Sequence, residues 1–443
     1  MIFKECHRGV CQNEVEGSPF WVWHEEDLRS PALFPYAVGS VCQRWAQVVT
    51  SSPSFWTRLV IFLDTTASDH IDQYIKLSRD LPFYITVLYR DPGKPLSDVE
   101  EKSRVYDVIK QILPYFTRCA GLRLEVRRSS SLPSVILDFP VNKLNAGCES
   151  DLDLELVCEV DDGVCLGVDW PTRRGVCLKS RELTKLALDG RNFLGMCLGS
   201  LAWNFCALSS FSLGPYRADN RGDQPFPTIN LLHALSLMSR LKHLTIAGVD
   251  LGPLESYYEE NVFLNFRMWG LESLTLIGLS CHSLGALFDG LALDWVHDLR
   301  IRECVDGVGY HHLPYSHLEL PGADRLELDG NDSVINEYCH TSIGNLGIPH
   351  LVLKGSDAMC ASVLKSVCSD ADGDYLPELA KLEVVNCDIE DVAATQQALL
   401  APNVHLILQY TEDIHDGKAA LSAPSPAAAA AEHTIIHTLP MTA

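Results

Sequence analysis

Several features that would assign this chain to a familiar class are missing from its 443 residues. No apolar run approaches the roughly 20 residues that a membrane-spanning helix needs. Lys4, Glu5 and Arg8 interrupt the first segment, where a secretory signal peptide would need an unbroken apolar stretch. We therefore expect a chain that contacts no membrane and resides in the cytoplasm or the nucleus.

Basic charge and paired cysteines are also scarce. The 58 acidic residues outnumber the 35 basic ones and give a formal net charge of −23, so the surface would repel a nucleic-acid backbone. The 16 cysteines are scattered, and no Cys-x-x-Cys pair occurs among them. These patterns predict no nucleic-acid partner and reduced, mostly buried thiols.

The chain lacks the short motifs that carry catalysis. It has no phosphate-binding Gly-x-x-x-x-Gly-Lys-Ser/Thr loop, no dinucleotide fingerprint, no Gly-x-Ser-x-Gly elbow and no His-Glu-x-x-His. His297, His311 and His312 have no carboxylate or thiol at a diagnostic spacing and are interpreted as surface histidines. We therefore predict no catalytic residue, no metal and no cofactor, and an enzyme is only the third class of function considered.

The most informative feature that is present is a recurring leucine pattern. Leu-x-x-Leu-x-Leu, or a close apolar variant, returns at intervals of about 24 to 33 residues, which is typical of stacked structural repeats. The last two leucines lie on one face of a short strand, and the first packs where the chain enters it. The clearest copies are Leu183/Leu186/Leu188, Leu241/Leu244/Ile246, Leu271/Leu274/Leu276, Val296/Leu299/Ile301 and Leu379/Leu382/Val384, with looser copies centred on Phe211, Leu326, Leu351 and Leu406.

Segments with helical spacing separate these strands. Leu231 and Leu235 form one such stripe, and Leu284 and Leu287 form another. A parallel strand ladder needs crossovers of this kind to return the chain to the same edge. We therefore predict an α/β fold: a leucine-rich-repeat solenoid with a parallel strand ladder and crossover helices, preceded by a small helical segment. A doubly wound α/β domain is the alternative, because it also alternates strands and helices.

The pattern divides the chain into four parts. Residues 181–410 carry the regular repeats, and residues 59–180 carry irregular, diverged ones. Residues 1–58 form the helical segment, with an insertion at about 9–30. Residues 411–443 contain five consecutive alanines and no core-forming periodicity, so they are predicted to be a disordered tail rich in alanine and proline.

The helical segment carries a resemblance to a known family. Its apolar spacing predicts one amphipathic helix that begins at Pro35 and ends before Pro53. The run Val41–Trp45 (Val-Cys-Gln-Arg-Trp), followed by the run Pro53–Trp56 (Pro-Ser-Phe-Trp), resembles the second half of an F-box as found in basidiomycete-type fungal F-box proteins with C-terminal leucine-rich repeats. Without that resemblance, the helix would be interpreted as a cap over the end of the solenoid.

The resemblance is partial at the N-terminus. The run Ile2–Cys6 (Ile-Phe-Lys-Glu-Cys) resembles the end of the first F-box helix, but the usual Leu-Pro-x-Glu opening does not precede it. The F-box is therefore expected to be truncated and its docking surface incomplete.

The resemblance implies a function without chemistry of its own. F-box proteins bind a Skp-type adaptor and so join an SCF-type (cullin-RING) ubiquitin ligase, whose protein substrate the repeats select. The chain would be such a substrate receptor, or, because its F-box is incomplete, a leucine-rich-repeat scaffold with no ligase role. Trp45 and Trp56 have core packing as an alternative to adaptor binding. The candidate adaptor-binding residues are Ile2, Phe3, Val41, Trp45 and Trp56.

The face opposite the buried leucines is the predicted binding surface. Residues that alternate with the leucines line it, and in such solenoids it is concave. Three arginines on adjacent strands suit an acidic peptide or a phosphate group of an unknown protein substrate. The alternative is a cross-strand network in which neighbouring acidic residues neutralise the arginines without a ligand. The candidate residues on this face are Arg300, Arg302, Arg325, Glu327 and Asp329.

Overall fold

The chain forms two compact units, Met1–Arg221 and Gly222–Ala443. Their boundary falls inside the regular repeats predicted for residues 181–410. The structure, a computed structural model, describes residues 35–65, 71–94, 96–133, 152–162, 183–198, 205–217, 224–254, 266–268, 270–293, 295–305, 320–331, 348–355, 379–385, 405–411 and 434–438.

The first unit is built on parallel strands, each paired with the next one along the chain. Where the structure describes the connections of this unit, they contain helices or 3₁₀ turns. The strands are β1 (Arg58–Phe62), β2 (Phe83–Leu88), β3 (Cys119–Arg128), β4 (Leu152–Val160), β5 (Leu183–Leu188) and β6 (Ser210–Leu213). The helices are α1 (Tyr36–Gly39), α2 (Gln43–Thr50), α3 (Ile71–Leu77), α4 (Asp98–Ile112) and α5 (Gly190–Leu198), with 3₁₀ turns at Pro53–Trp56, Leu113–Arg118 and Ser129–Ser131.

The second unit repeats this arrangement. Its main strands also pair in parallel in chain order, and only the last pair, β15 with β16, is antiparallel. Two short strands, β8 (Phe266–Arg267) and β10 (Leu291–Ala292), pair with each other outside this sheet. The main strands are β7 (His243–Ala247), β9 (Ser273–Ile277), β11 (Trp295–Arg302), β12 (Gly322–Asp329), β13 (His350–Lys354), β14 (Lys381–Val385), β15 (His405–Thr411) and β16 (Thr434–Thr438), and the helices are α6 (Thr228–Leu237) and α7 (Cys281–Gly290). The parallel strands and the helices between them confirm the predicted α/β class.

The leucine pattern accounts for the core of each repeat. Leu274 pairs in register with Leu299, and Leu299 with Leu326, so that buried residues form columns across the sheet. The first residue of each copy is buried too, as Leu271 shows. Because three positions separate it from the second leucine, the two residues between them both face outward, and strict alternation starts only after them. Each buried leucine contributes roughly 1.5–3 kcal/mol of burial free energy.

A left-handed residue follows each of five strands in the second unit: β7, β9, β11, β12 and β13. Gly248, Gly278, Gly330 and Gly355 have φ between 59° and 70°, two positions after the last apolar residue of their copies. Each donates its backbone N–H to the next strand, from Gly248 N to Ile277 O at one end to Gly355 N to Val385 O at the other. Glycine adopts this conformation without the steric cost that a Cβ would add.

One strand exit carries a side chain at this left-handed position. Glu303 has φ 51° and still donates its N–H to Asp329 O at 2.7 Å. Glu303 therefore makes the same backbone hydrogen bond to the next strand as the glycines do. Unlike them, it has a Cβ, which makes the left-handed conformation less favourable.

Two predicted helices are confirmed, because the Leu231 and Leu284 stripes correspond to α6 and α7. Both have their apolar positions buried against their own unit, as do α3 and α4 in the first unit. Among the described residues, no helix is long and apolar enough to cross a membrane.

Two predictions about the ends of the chain differ from the structure. The single helix predicted from Pro35 is divided into α1 and α2, because Cys42 has extended backbone angles, φ −161° and ψ 164°. Apolar spacing alone cannot detect such a break. Within the predicted tail, β16 pairs with β15, whose backbone groups it satisfies along one edge.

Candidate functional site

Outward-facing side chains of the second unit bring together the residues predicted to bind a partner. We call the outward side chains of β9 and β11–β14 the open face of this unit. Arg300 lies in register with Glu327, Arg302 with Asp329, and Asp298 with Arg325. Parallel pairing therefore places all five predicted residues on two adjacent strands and brings Asp298 against them.

Glu327 is the centre of this cluster. Its side chain is 1% exposed and receives three cations: Arg302 Nη2 at 2.5 Å, Arg325 Nη2 at 2.6 Å and Lys354 Nζ at 3.1 Å. Burial alone would raise the pKa of Glu327, but the hydrogen bonds and charges of these cations outweigh burial and lower the pKa to about 2. The carboxylate is therefore ionised at neutral pH.

Asp298 is the second anion of the cluster. It accepts Arg300 Nε at 2.7 Å and Arg325 Nη1 at 2.8 Å. Burial opposes ionisation here too, but the hydrogen bonds from Arg300 and Arg325 lower the pKa of Asp298. Arg325 thus bridges the two carboxylates, and the predicted cross-strand network is present.

The charges in this network do not balance. Four cations contact two carboxylates, because Lys354 on β13 joins the three arginines. Asp329 lies in register between Arg302 and Lys354, and counting it still leaves an excess of one positive charge. We call Arg300, Arg302, Arg325 and Lys354 the basic cluster.

An aromatic side chain lies toward the start of β11 on the same face. Trp295 is 45% exposed, and its Nε1 donates to Asp324 Oδ1 at 3.2 Å. The indole covers Gly322, where an added Cβ would lie 2.3 Å from the ring. His297 pairs with the other oxygen of Asp324. Our sequence reasoning overlooked Trp295, although a Trp in register with Gly on the next strand was a usable signal.

The outward side chains of β3, β4 and β5 in the first unit form a network without an excess of cations. Arg123 Nε donates to Glu125 at 2.6 Å and lies 3.8 Å from Glu155, and Lys185 Nζ lies 2.7 Å from Glu155. With Asp153, which lies in register with Lys185, the carboxylates here outnumber these two cations. Equivalent strand positions can therefore carry a different balance of charge within the same fold.

The residues predicted to bind an adaptor divide between core and surface. Trp56 is buried, its Nε1 donates to Val49 O at 2.8 Å, and its ring packs edge-to-face on Tyr74 with centroids 4.9 Å apart. It also lies three residues before Leu59, the spacing of the leucine pattern. Trp56 is therefore a core residue at the end of the 3₁₀ turn that precedes β1, and core packing was the alternative role stated for it.

The other F-box-like side chains are more accessible. Val41 is 62% exposed and Val48 is 37% exposed, while Trp45 is half-buried. Ile2 and Phe3 lie outside the described residues. The accessible apolar side chains at α2 are thus Val41, Val48 and part of Trp45.

The carboxyl ends of β4 and β5 hold a second polar cluster, which the sequence analysis did not identify. Asp161 accepts Arg191 Nε at 2.6 Å and the N–H of Arg217 at 2.9 Å. Asp189 is fully buried before α5 and accepts the N–H groups of Arg191 and Asn192 at 2.9 and 3.1 Å. Burial raises the pKa of Asp189 to about 6, although these hydrogen bonds oppose the shift. This cluster caps strand and helix ends of its own unit.

Comparison with known proteins adds no assignment. The chain matches no protein-family model, and a search of curated proteins also gives no match. Within the described ranges, no group of three or more His, Cys, Asp or Glu side chains is placed to hold a metal ion.

Proposed function

We propose that this chain is a non-catalytic protein-interaction protein: a leucine-rich-repeat solenoid with an F-box-like segment that serves as a substrate receptor of an SCF-type ubiquitin ligase. In this role α2 and its flanks dock a Skp-type adaptor, and the open face holds the substrate. The observation that carries the proposal is the basic cluster, which is partly exposed and has more cations than carboxylates. It lies on the outward face of the sheet, where folding does not require charged residues.

The sheet geometry supports a binding role for the open face. Columns of buried leucines stabilise each unit from one side, so the outward residues are free to vary in chemistry. Arg300 and Arg302 point their guanidinium groups outward from a rigid sheet, which holds them in place at little entropic cost.

Accessible apolar side chains near α2 support the adaptor contact. Val41 and Val48 are exposed although the unit has a well-formed core to receive apolar groups. Adaptor contacts of the F-box kind depend on a few apolar anchors of this sort. The burial of Trp56 favours the second candidate, a repeat scaffold with no ligase role, because a core residue cannot serve as an anchor.

The experiment is a binding assay between the purified chain and a purified Skp-type adaptor. The double variant Val41→Asp/Val48→Asp places two charges in the expected contact, and we expect it to weaken binding at least 100-fold, about 3 kcal/mol. Val99→Asp on α4 is the matched control, since Val99 is 80% exposed and distant in sequence from α2.

The outcomes separate the two candidates. Binding by the wild-type chain and Val99→Asp, with loss in the double variant, supports the receptor. Absence of adaptor binding by the wild-type chain rules out the ligase role and leaves the scaffold. Equal weakening in the double variant and the control shows that the contact does not involve α2.

A further inference from the structure

We propose, building on the receptor role above, that the open face of the second unit recognises an extended acidic segment of a protein partner. Side-chain carboxylates of that segment would pair with the basic cluster, and an apolar side chain would rest on Trp295. The inference names the chemistry of the substrate, which the proposed function leaves open.

The charge excess is the first argument. The whole chain carries 58 acidic and 35 basic residues, so any local excess of cations runs against its composition. The network of Arg123 and Lys185 on the first unit shows that equivalent strand positions need not carry such an excess. With Asp329 counted, the basic cluster has one cation more than it has carboxylates, and an incoming anion would balance that charge.

The layering of the cluster is the second argument. The carboxylate of Glu327 is 1% exposed, whereas the side chains of Arg302 and Lys354 are 30% and 29% exposed. The anion therefore lies beneath the cations and fixes them. Arg302 uses Nη2 on Glu327, and its Nε is buried, but the side chain as a whole is 30% exposed. A guanidinium has five donors, so the exposed part of this one can donate to a further carboxylate.

The spacing of the cations indicates an extended segment rather than one anionic group. The basic cluster spans β11 to β13, or roughly 10 Å at about 4.8 Å per strand. A single phosphoryl group cannot contact both sides of it. In an extended chain, alternate side chains lie about 7 Å apart on one face, so successive acidic residues can reach the cluster.

Trp295 extends the surface in the strand direction. It lies seven residues before Arg302 on the same outward face, roughly 23 Å away at about 3.3 Å per residue. An extended partner segment of about seven or more residues would therefore reach from the basic cluster to the indole. A half-exposed Trp fixed by Asp324 and Gly322 offers a rigid apolar platform at low entropic cost.

The test uses fluorescently labelled dodecapeptides at 150 mM salt, where exposed charges beyond about 8 Å are screened and the net charge of the chain has little influence. One probe alternates Glu and Thr and ends in Leu, and its counterpart replaces every Glu by Gln. We expect the full-length chain to bind the Glu peptide at least tenfold more tightly than the Gln peptide.

The informative variant is Arg302→Gln/Lys354→Gln. It removes two cations while Arg325 keeps its 2.6 Å contact with Glu327, so the buried carboxylate remains paired and the fold is retained. We expect at least a tenfold loss of affinity for the Glu peptide. The matched control is Arg123→Gln/Lys185→Gln on the first unit, which changes net charge equally and should alter affinity less than twofold.

Three results would overturn the inference. These are equal binding of the Glu and Gln peptides, equal effects of the two double variants, or tighter binding of a phosphoserine peptide or of inorganic phosphate than of the Glu peptide. Trp295→Ala should weaken the Leu-ended probe but not a Leu-free one. Adaptor binding is measured separately: the Val41→Asp/Val48→Asp variant should keep peptide affinity, so either proposal can fail without the other.

Discussion

Replacing Asp189 by Asn should stabilise the protein at neutral pH and have a smaller effect in acid. Asp189 is fully buried at the start of α5, and burial raises its pKa from 3.8 to about 6. In the variant, the amide Oδ1 can accept the N–H groups of Arg191 and Asn192 as the carboxylate does. The substitution therefore removes a buried charge while keeping the helix cap.

The direction follows from proton linkage. Because the folded-state pKa lies above the unfolded-state value, protonation of Asp189 favours folding below about pH 4, and this contribution is lost as the pH rises through 6. The difference between 3.8 and about 6 corresponds to about 3 kcal/mol at about 1.4 kcal/mol per pH unit. About 0.5 kcal/mol of this is already lost at pH 4. Relative to wild type, the variant should therefore gain about 2 kcal/mol between pH 4 and pH 7.5.

Denaturant unfolding followed by circular dichroism at pH 4.0 and 7.5 measures this gain, and both values lie away from the pI of 5.0. The side chain of Asn192 must rotate its amide to meet the new one, and any constant cost of this rotation cancels in the comparison. Asp80→Asn at an exposed position controls for the change in net charge. A stability difference between variant and wild type that stays constant with pH would refute the reasoning.

Two further substitutions probe the ends of the strands. Glu303→Gly should raise the free energy of unfolding by about 1 kcal/mol, because glycine adopts the left-handed backbone conformation without steric cost. Gly278→Ala should lower the free energy of unfolding by a similar amount. This loss would come from the left-handed backbone alone, since no side chain lies near enough to clash with the added methyl group. If both substitutions destabilise the protein in thermal and denaturant melts, the backbone argument is wrong. Asn331→Ala should cost about 2–3 kcal/mol, because buried Asn331 accepts from Cys304 N and donates to Ile301 O, both at 2.9 Å; a cost under 0.5 kcal/mol would contradict this role.

The strands could be predicted because their signal is local and redundant. Leu274 and Leu276, two residues apart, identify the inward face of β9, and the same spacing recurs in the next strands. Parallel pairing in chain order follows once every strand buries the same positions. Helices α6 and α7 could be predicted equally well, because each contains leucines at helical spacing over ten residues.

The break between α1 and α2 could not be predicted, because it depends on backbone angles at Cys42 that no periodicity reports. Trp56 shows a second limit of sequence reasoning. The F-box resemblance and the leucine pattern both claim this residue, and only the burial of its ring against Tyr74 decides that it belongs to the core. A sequence motif identifies the residue at a position but does not show whether its side chain packs in the core or lies on a binding surface.

The charge balance of the open face lies beyond sequence reasoning for a related physical reason. The arginines, Glu327 and Lys354 were identifiable from alternation, but which of these side chains contact each other depends on the register of β11, β12 and β13. The leucines determine which positions face outward and do not determine the chemistry of those positions. Arg123 and Lys185 therefore lie among carboxylates that are not outnumbered, whereas cations outnumber carboxylates in the basic cluster. The fold does not require an excess of cations on its outward face. Recognition of an acidic substrate would account for that excess, and the peptide experiment tests this explanation.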